Sequence, residues 1–236
     1  RLCDVWPGGA SPLITRGILN LSQREGKGFP RVMRRGEVVE VEVGLNHVAY
    51  TVPVGHKLRL ALSTSYWPMA WPAPKTTLLS LHSEGSVLQL PVLRSDAKML
   101  PLTQFGHTVT GEPEPITELR PIKQTRDVTH DDKSRTRTIE IRADNGKSRF
   151  ERTGMEMGSS ALTKFSINES DPLSAKAEYE WEWEYGRGDW ATRTYTHTKV
   201  TSDAGFFFLD AEAVAWEGDT IVFEKRWSRK FERDHF

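Results

Sequence analysis

From residue 177 to residue 185 every second side chain is alanine or aromatic and every intervening one is glutamate: Ala177, Tyr179, Trp181, Trp183 and Tyr185 against Glu178, Glu180, Glu182 and Glu184. A helix would scatter both sets around its axis, whereas a strand puts successive side chains on opposite faces. The stretch therefore predicts a strand with its glutamates on a solvated face. Gly186-Arg187-Gly188-Asp189 closes a turn in which Gly188 takes the positive φ of a type II or I′ geometry. Pairing Gly186 with Asp189 sets Tyr185 against Trp190, Glu182 against Arg193 and Glu178 against His197. It also sets Lys176 against Lys199, where the ladder should fray. Further turns at Ser202-Asp203-Ala204-Gly205 and Glu217-Gly218-Asp219 make the C-terminal region an antiparallel meander.

A second stretch, residues 53–74, changes character halfway. Leu58, Leu60 and Leu62 alternate with Lys57, Arg59 and Ala61, a strand with one buried face. Pro68, Pro72 and Pro74 then remove backbone donors, so residues 65–74 read as a stiff loop carrying Tyr66, Trp67, Met69 and Trp71. Aromatics interleaved with prolines stay rigid without a helix or strand, which suits a substrate-pocket wall or a domain interface. They equally suit a plug for the open end of a β-sandwich, and the residues leave both roles open.

The rest of the chain supports an all-β class. Strands are expected at 1–5, 13–21 with a bend at Gly17, 38–45, 50–54, 75–81 and 87–92, then at 136–143, 149–153 and 161–167. Residues 94–133, rich in proline and polar residues, form a connection between lobes. Short strands with Gly and Pro between them describe an antiparallel β-sandwich, jelly-roll-like, ending in the antiparallel meander. Residues 1–100 are expected to form the sandwich and 101–236 a β extension packed on it.

Lys+Arg and Asp+Glu balance at 32 each in the 236 residues, so no charge excess recruits nucleic acid, and self-association is favoured. No apolar run approaches the ~20 residues of a membrane helix. Cys3 is the lone cysteine, which fits a reducing, cytoplasmic setting. The opening Arg1-Leu-Cys-Asp-Val-Trp, without initiator Met or signal segment, reads as the interior of a longer protein. No Gly-x-Ser-x-Gly elbow occurs, and the seven histidines have no metal-ligand spacing. His130-Asp131-Asp132 reads as a solvated turn, and Arg187-Gly188-Asp189 as a hairpin tip. Catalytic residues, metal and cofactor are therefore all expected to be none.

Arg1-Leu-Cys-Asp-Val, Leu13-Ile-Thr-Arg-Gly-Ile-Leu-Asn-Leu21, residues 53–63 and Ser65-Tyr-Trp-Pro68 resemble the C-terminal jelly-roll domain of CocE/NonD-type acyl hydrolases, relatives of X-Pro dipeptidyl-peptidases. Asp171-Pro-Leu-Ser-Ala175, Arg187-Gly-Asp-Trp190 and Arg233-Asp234 resemble the tail of a longer-chain group in that family. The resemblance implies a parent serine hydrolase whose catalytic α/β-hydrolase and cap domains are this chain's partners, with no triad residue here. It makes residues 1–100 a partial jelly roll lacking its upstream strands, and the chain an accessory domain that walls the substrate pocket. The rival is a carbohydrate- or surface-binding β-sandwich module, which exposed aromatics lining a sheet face would favour. Aromatics gathered at one end beside an apolar docking patch would favour the accessory domain.

Overall fold

The computed structural model describes residues 1–94, 101 and 103–235, and within them every strand pair is antiparallel. Three short strands, β1 (Leu2–Val5), β2 (Leu13–Thr15) and β3 (Lys57–Leu60), make one sheet in the order β2-β1-β3. The second sheet holds β4 (Ile116–Arg120), β5 (Lys123–Asp131), β6 (Thr136–Phe150), β7 (Met155–Asn168), β8 (Asp171–Arg187), β9 (Trp190–Ser202), β10 (Phe206–Glu217) and β11 (Thr220–Glu232). From β6 onward each strand pairs with the next in sequence, which is the expected meander. The all-β class thus holds.

The hairpin register differs from the expectation by two residues. Arg187 pairs with Trp190, Glu184 with Arg193, Glu180 with His197 and Glu178 with Lys199. The turn holds only Gly188 and Asp189, with φ +59° at Gly188, the first central position that a type II′ turn reserves for glycine. An even slip keeps every side chain on its face. It also replaces the Lys176/Lys199 clash by a Glu178/Lys199 pair, so no fraying is imposed there.

Four of the expected strands do not form. Residues 38–45, 50–54, 75–81 and 87–92 carry the alternation but belong to no ladder, because alternation selects a face and supplies no neighbour for the backbone groups. The leucine face is likewise uncovered: Leu58, Leu60 and Leu62 are 45%, 47% and 55% exposed. Conversely, the presumed connection at 94–133 contains β4 and β5; its residues 95–100 and 102 lie outside the described residues. β5 runs along Thr136–Asp144 of β6 and β4 along Lys147–Phe150, with a bulge at Asn145-Gly146 between them. Gly146 has φ +77°, and a Cβ there would stand 2.6 Å from the Arg120 carbonyl, so only glycine fits. The expected strand at 149–153 is the end of β6 followed by a turn.

Little apolar surface is sealed. Among the described residues the buried hydrophobic ones are Leu2, Cys3, Ala175 and Ala177. No described helix is long and apolar enough to cross a membrane.

Candidate functional site

The aromatic loop is held from behind by the C-terminal sheet. Trp67 packs edge-on against Trp71 at 5.0 Å and against Phe165 of β7 at 5.8 Å, and Trp71 packs edge-on against Phe207 of β10 at 5.6 Å. Such T-shaped pairs place a ring's positive edge on its neighbour's negative face. Phe165 continues the contact to Tyr179 of β8. The Trp67-Pro68 peptide is cis, and the Ala70 N–H donates to the Tyr66 carbonyl at 3.0 Å, closing the loop on itself.

The loop's polar groups converge on one hydroxyl. The Trp71 indole N–H donates to Ser202 Oγ at 2.9 Å, and Arg233 Nη1 donates to the same oxygen at 3.0 Å. Arg233 also donates to the carbonyls of Asp203 and Pro72 and lies over the Phe207 ring. Its guanidinium is buried, its Nε–H has no partner, and the loss of hydration pulls its pKa below the ordinary arginine value. Asn20 and Ser22 add two bonds of 2.7 Å to the His235 carbonyl, so the end of the chain is tied to the amino-terminal lobe.

Of the four loop residues singled out from the sequence, Trp67 and Trp71 thus meet the C-terminal sheet. Tyr66 lies half-buried beneath the guanidiniums of Arg1 and Arg16, at 5.2 and 5.7 Å. Met69 is 50% exposed. Sequence reasoning read Ser202 only as a turn residue, missed Phe165 and Phe207, which look like ordinary strand residues, and reached Arg233 only through the resemblance.

A second buried polar cluster also escaped. Asp4, fully buried on β1, accepts from the Tyr50 hydroxyl at 2.6 Å and from His56 Nδ1 at 2.8 Å. Burial pushes this carboxyl up, but the bonds from Tyr50, His56 and Trp6 and the charge of the imidazole outweigh it and hold the group below its usual range. The two donors come from segments outside any ladder, so the cluster fastens otherwise unpaired chain to the small sheet.

The glutamate face departs from a simple solvated row. Glu184 takes both oxygens to Arg120 Nη1 at 3.2 Å, Arg120 Nε reaches Asp144 at 3.0 Å, and Arg193 Nη1 lies 3.4 Å from Glu182. Nearby, Arg149 and Lys147 hold Glu156 at 2.6 and 3.0 Å, and the Arg149 bond keeps that carboxyl below its usual range. These half-buried pairs make the face a cohesive charged layer. The opposite face instead exposes Trp181 and Trp183. His130 meets Asp132 at 3.0 Å and Asp131 caps the turn through Lys133 and Ser134, as a solvated turn would. Among the described residues no three His, Cys, Asp or Glu side chains converge as metal ligands would.

No curated protein and no solved structure matches the chain. Residues 1–139, which carry the small sheet, the Asp4 cluster and the whole aromatic loop, match the family described as the X-Pro dipeptidyl-peptidase C-terminal non-catalytic domain, and the chain belongs to that family.

Proposed function

We propose that this chain is the accessory domain of a cytoplasmic CocE/NonD-type acyl hydrolase, acting on esters or amides, whose catalytic α/β-hydrolase domain it stabilises and whose substrate pocket it helps to wall. Family membership as a non-catalytic C-terminal domain implies a catalytic domain in the same parent protein. One observation carries the docking: the chain presents 18340 Å² of accessible surface, whereas a folded monomer of 26.8 kDa exposes roughly 10,800 Å². Alternating segments such as 38–45 and 75–81 contribute to the excess, with Val38, Val41, Val43, Leu78, Leu79 and Leu81 exposed. A neighbouring body that supplies a face or a strand edge would seal them into a jelly roll. The aromatic loop, fixed from behind by Phe165, Phe207, Ser202 and Arg233, offers that body a rigid front in Met69 and the flank of Tyr66.

The test compares short acyl ester hydrolysis by the parent, by the parent lacking this chain and by this chain alone. The chain alone should hydrolyse nothing above buffer and take no fluorophosphonate label, while its removal should lower the parent's stability and shift its selectivity among acyl groups. Stoichiometric labelling of a serine in this chain, abolished by replacing that serine with alanine, would overturn the reading. A carbohydrate- or surface-binding module is the second reading, favoured by the exposed Trp181 and Trp183 on an open sheet face.

A further inference from the structure

The strands β7–β11 begin beyond residue 139, where the family match ends, so docking of the family's own domain leaves their aromatic face unaccounted for. On that face Trp181, Trp183 and Tyr185 form a row of parallel rings, tilted by 9° and 5° with centroids 6.2 Å apart. Trp181 and Trp183 are 41% and 39% exposed. The register places Thr196 and Thr194 of β9 beside them, then Ala213 and Ala215 of β10, then Lys225 and Phe223 of β11. The face is therefore a ridge of rings on β8, a channel of small side chains two strands wide, and a second ridge on β11 that includes Phe223 and Trp227. The two ridges stand about 14 Å apart, three strand spacings.

We propose that this face pairs with the same face of a second copy, the β8 ridge of each lying in the Thr/Ala channel of the other about a two-fold axis parallel to the strands. A ridge beside a channel of matching width on one surface is what an isologous contact needs, because each copy must offer both halves. Five strands about ten residues long cover roughly 800 Å² per copy, the size of one partner's share of a standard specific interface. With Lys+Arg and Asp+Glu equal, no net charge opposes the approach. On β11, Arg226 and Lys230 belong to the opposite face, whereas Lys225, over the Trp227 ring, and Arg229 rim the second ridge on this one. Sugar stacking would use the same rings, with the Asn145 amide bonded to Ser159 beside Trp183 and Lys225 in line with Trp181, and is the rival outcome of the test.

Sedimentation velocity of the parent protein over a concentration range tests the pairing. Trp183→Ser flattens the ridge and Ala213→Arg fills the channel, while Arg226→Ala on the charged face serves as control, with circular dichroism reporting retained fold. The two face variants should each raise the dimer dissociation constant by about thirtyfold or more, the scale of losing an interface anchor, and the control should leave it unchanged. A parent that stays monomeric throughout, or a dimer indifferent to both face variants, overturns the proposal. So does a monomer whose tryptophan emission shifts on adding a soluble polysaccharide, which would assign the face to sugar.

Discussion

Trp71 and Arg233, far apart in the sequence, donate to the same side-chain oxygen, Ser202 Oγ. That hydroxyl sits at the end of β9, where the strand turns toward β10, and couples the aromatic loop to the closing segment of the C-terminal sheet. Replacing it with alanine would strand an indole N–H and leave Arg233 Nη1 with only the Asp203 carbonyl, beside an Nε–H that already lacks a partner. Ser202→Ala is therefore expected to destabilise the protein by about 1–3 kcal/mol. Ser228→Ala, which loses only an exposed bond to Asp210, should stay within about 0.5 kcal/mol. Urea unfolding of the two variants checks the contrast, and equal midpoints would remove Ser202 from its bridging role.

The hairpin register makes a second test. Glu184 stands opposite Arg193 and holds Arg120 through both oxygens, whereas Glu182 stands opposite Tyr195 and meets Arg193 only diagonally. Glu184→Lys would put a fourth cation beside Arg120, Arg193 and Lys147. It should lower stability more than Glu182→Lys by up to about 1 kcal/mol, a modest figure because water screens these part-exposed pairs. The pairing expected from sequence demands the opposite order, so thermal melts of both variants separate the two registers.

That case shows what alternation conveys. The strands from 155 onward were legible because glycine turns punctuate alternating runs, but two registers differing by two residues bury the same faces, and only the turn length separates them. β5 was invisible because Lys123–Asp131 has just one large apolar residue, Val128, and it earns its place by backbone pairing with β6. In the amino-terminal part the error ran the other way, since the pattern at 38–45 and 75–81 declares a face to be covered without saying what covers it. The aromatic loop could be found from its prolines and rings, yet Ser202 and Arg233 could not, because convergence of distant segments leaves no local signature. Asp4, Tyr50 and His56 escaped for the same reason.

Acid should loosen the small sheet through Asp4. Its folded pKa is depressed, so it contributes stability in full above the unfolded value, about 3.9, and that contribution is lost as pH falls through the lower folded value. Asp4→Asn should be less stable than wild type at neutral pH and should lack this component of the acid transition. Hydrogen exchange at β1 and β3 between neutral pH and pH ~3 measures it. Identical pH profiles for the two proteins would show that the carboxylate's charge is not what fastens Tyr50 and His56.

Gly146 tests the bulge that separates β4 from β5. An alanine there meets both a positive φ and the Arg120 carbonyl at 2.6 Å, and backbone cannot swing aside as a side-chain tip can. Gly146→Ala should cost about 1–3 kcal/mol. The damage should centre on Ile116–Arg120, read as faster exchange of its amides with β7–β11 unchanged. Gly8→Ala, at a position with open space and no positive φ, is the matched control.

The aromatic loop separates bracing from substrate contact. Trp71 touches Phe207 and Ser202, so Trp71→Ala should detach the loop from the sheet at a cost of about 3 kcal/mol or more, the usual toll for emptying a packed indole site. Met69 is half exposed and braces nothing among the described contacts, so Met69→Ala should leave unfolding of the parent within about 0.5 kcal/mol of wild type. If the loop's front walls the acyl pocket, Met69→Ala should still change the ratio of kcat/KM for bulky over short acyl esters, by up to about tenfold for one lost side-chain contact. Trp71→Ala should change stability and selectivity together, because a loop that has lost its backing no longer holds Met69 in place. A parent whose selectivity ignores both substitutions would confine the loop to joining the two sheets and end its role as a pocket wall.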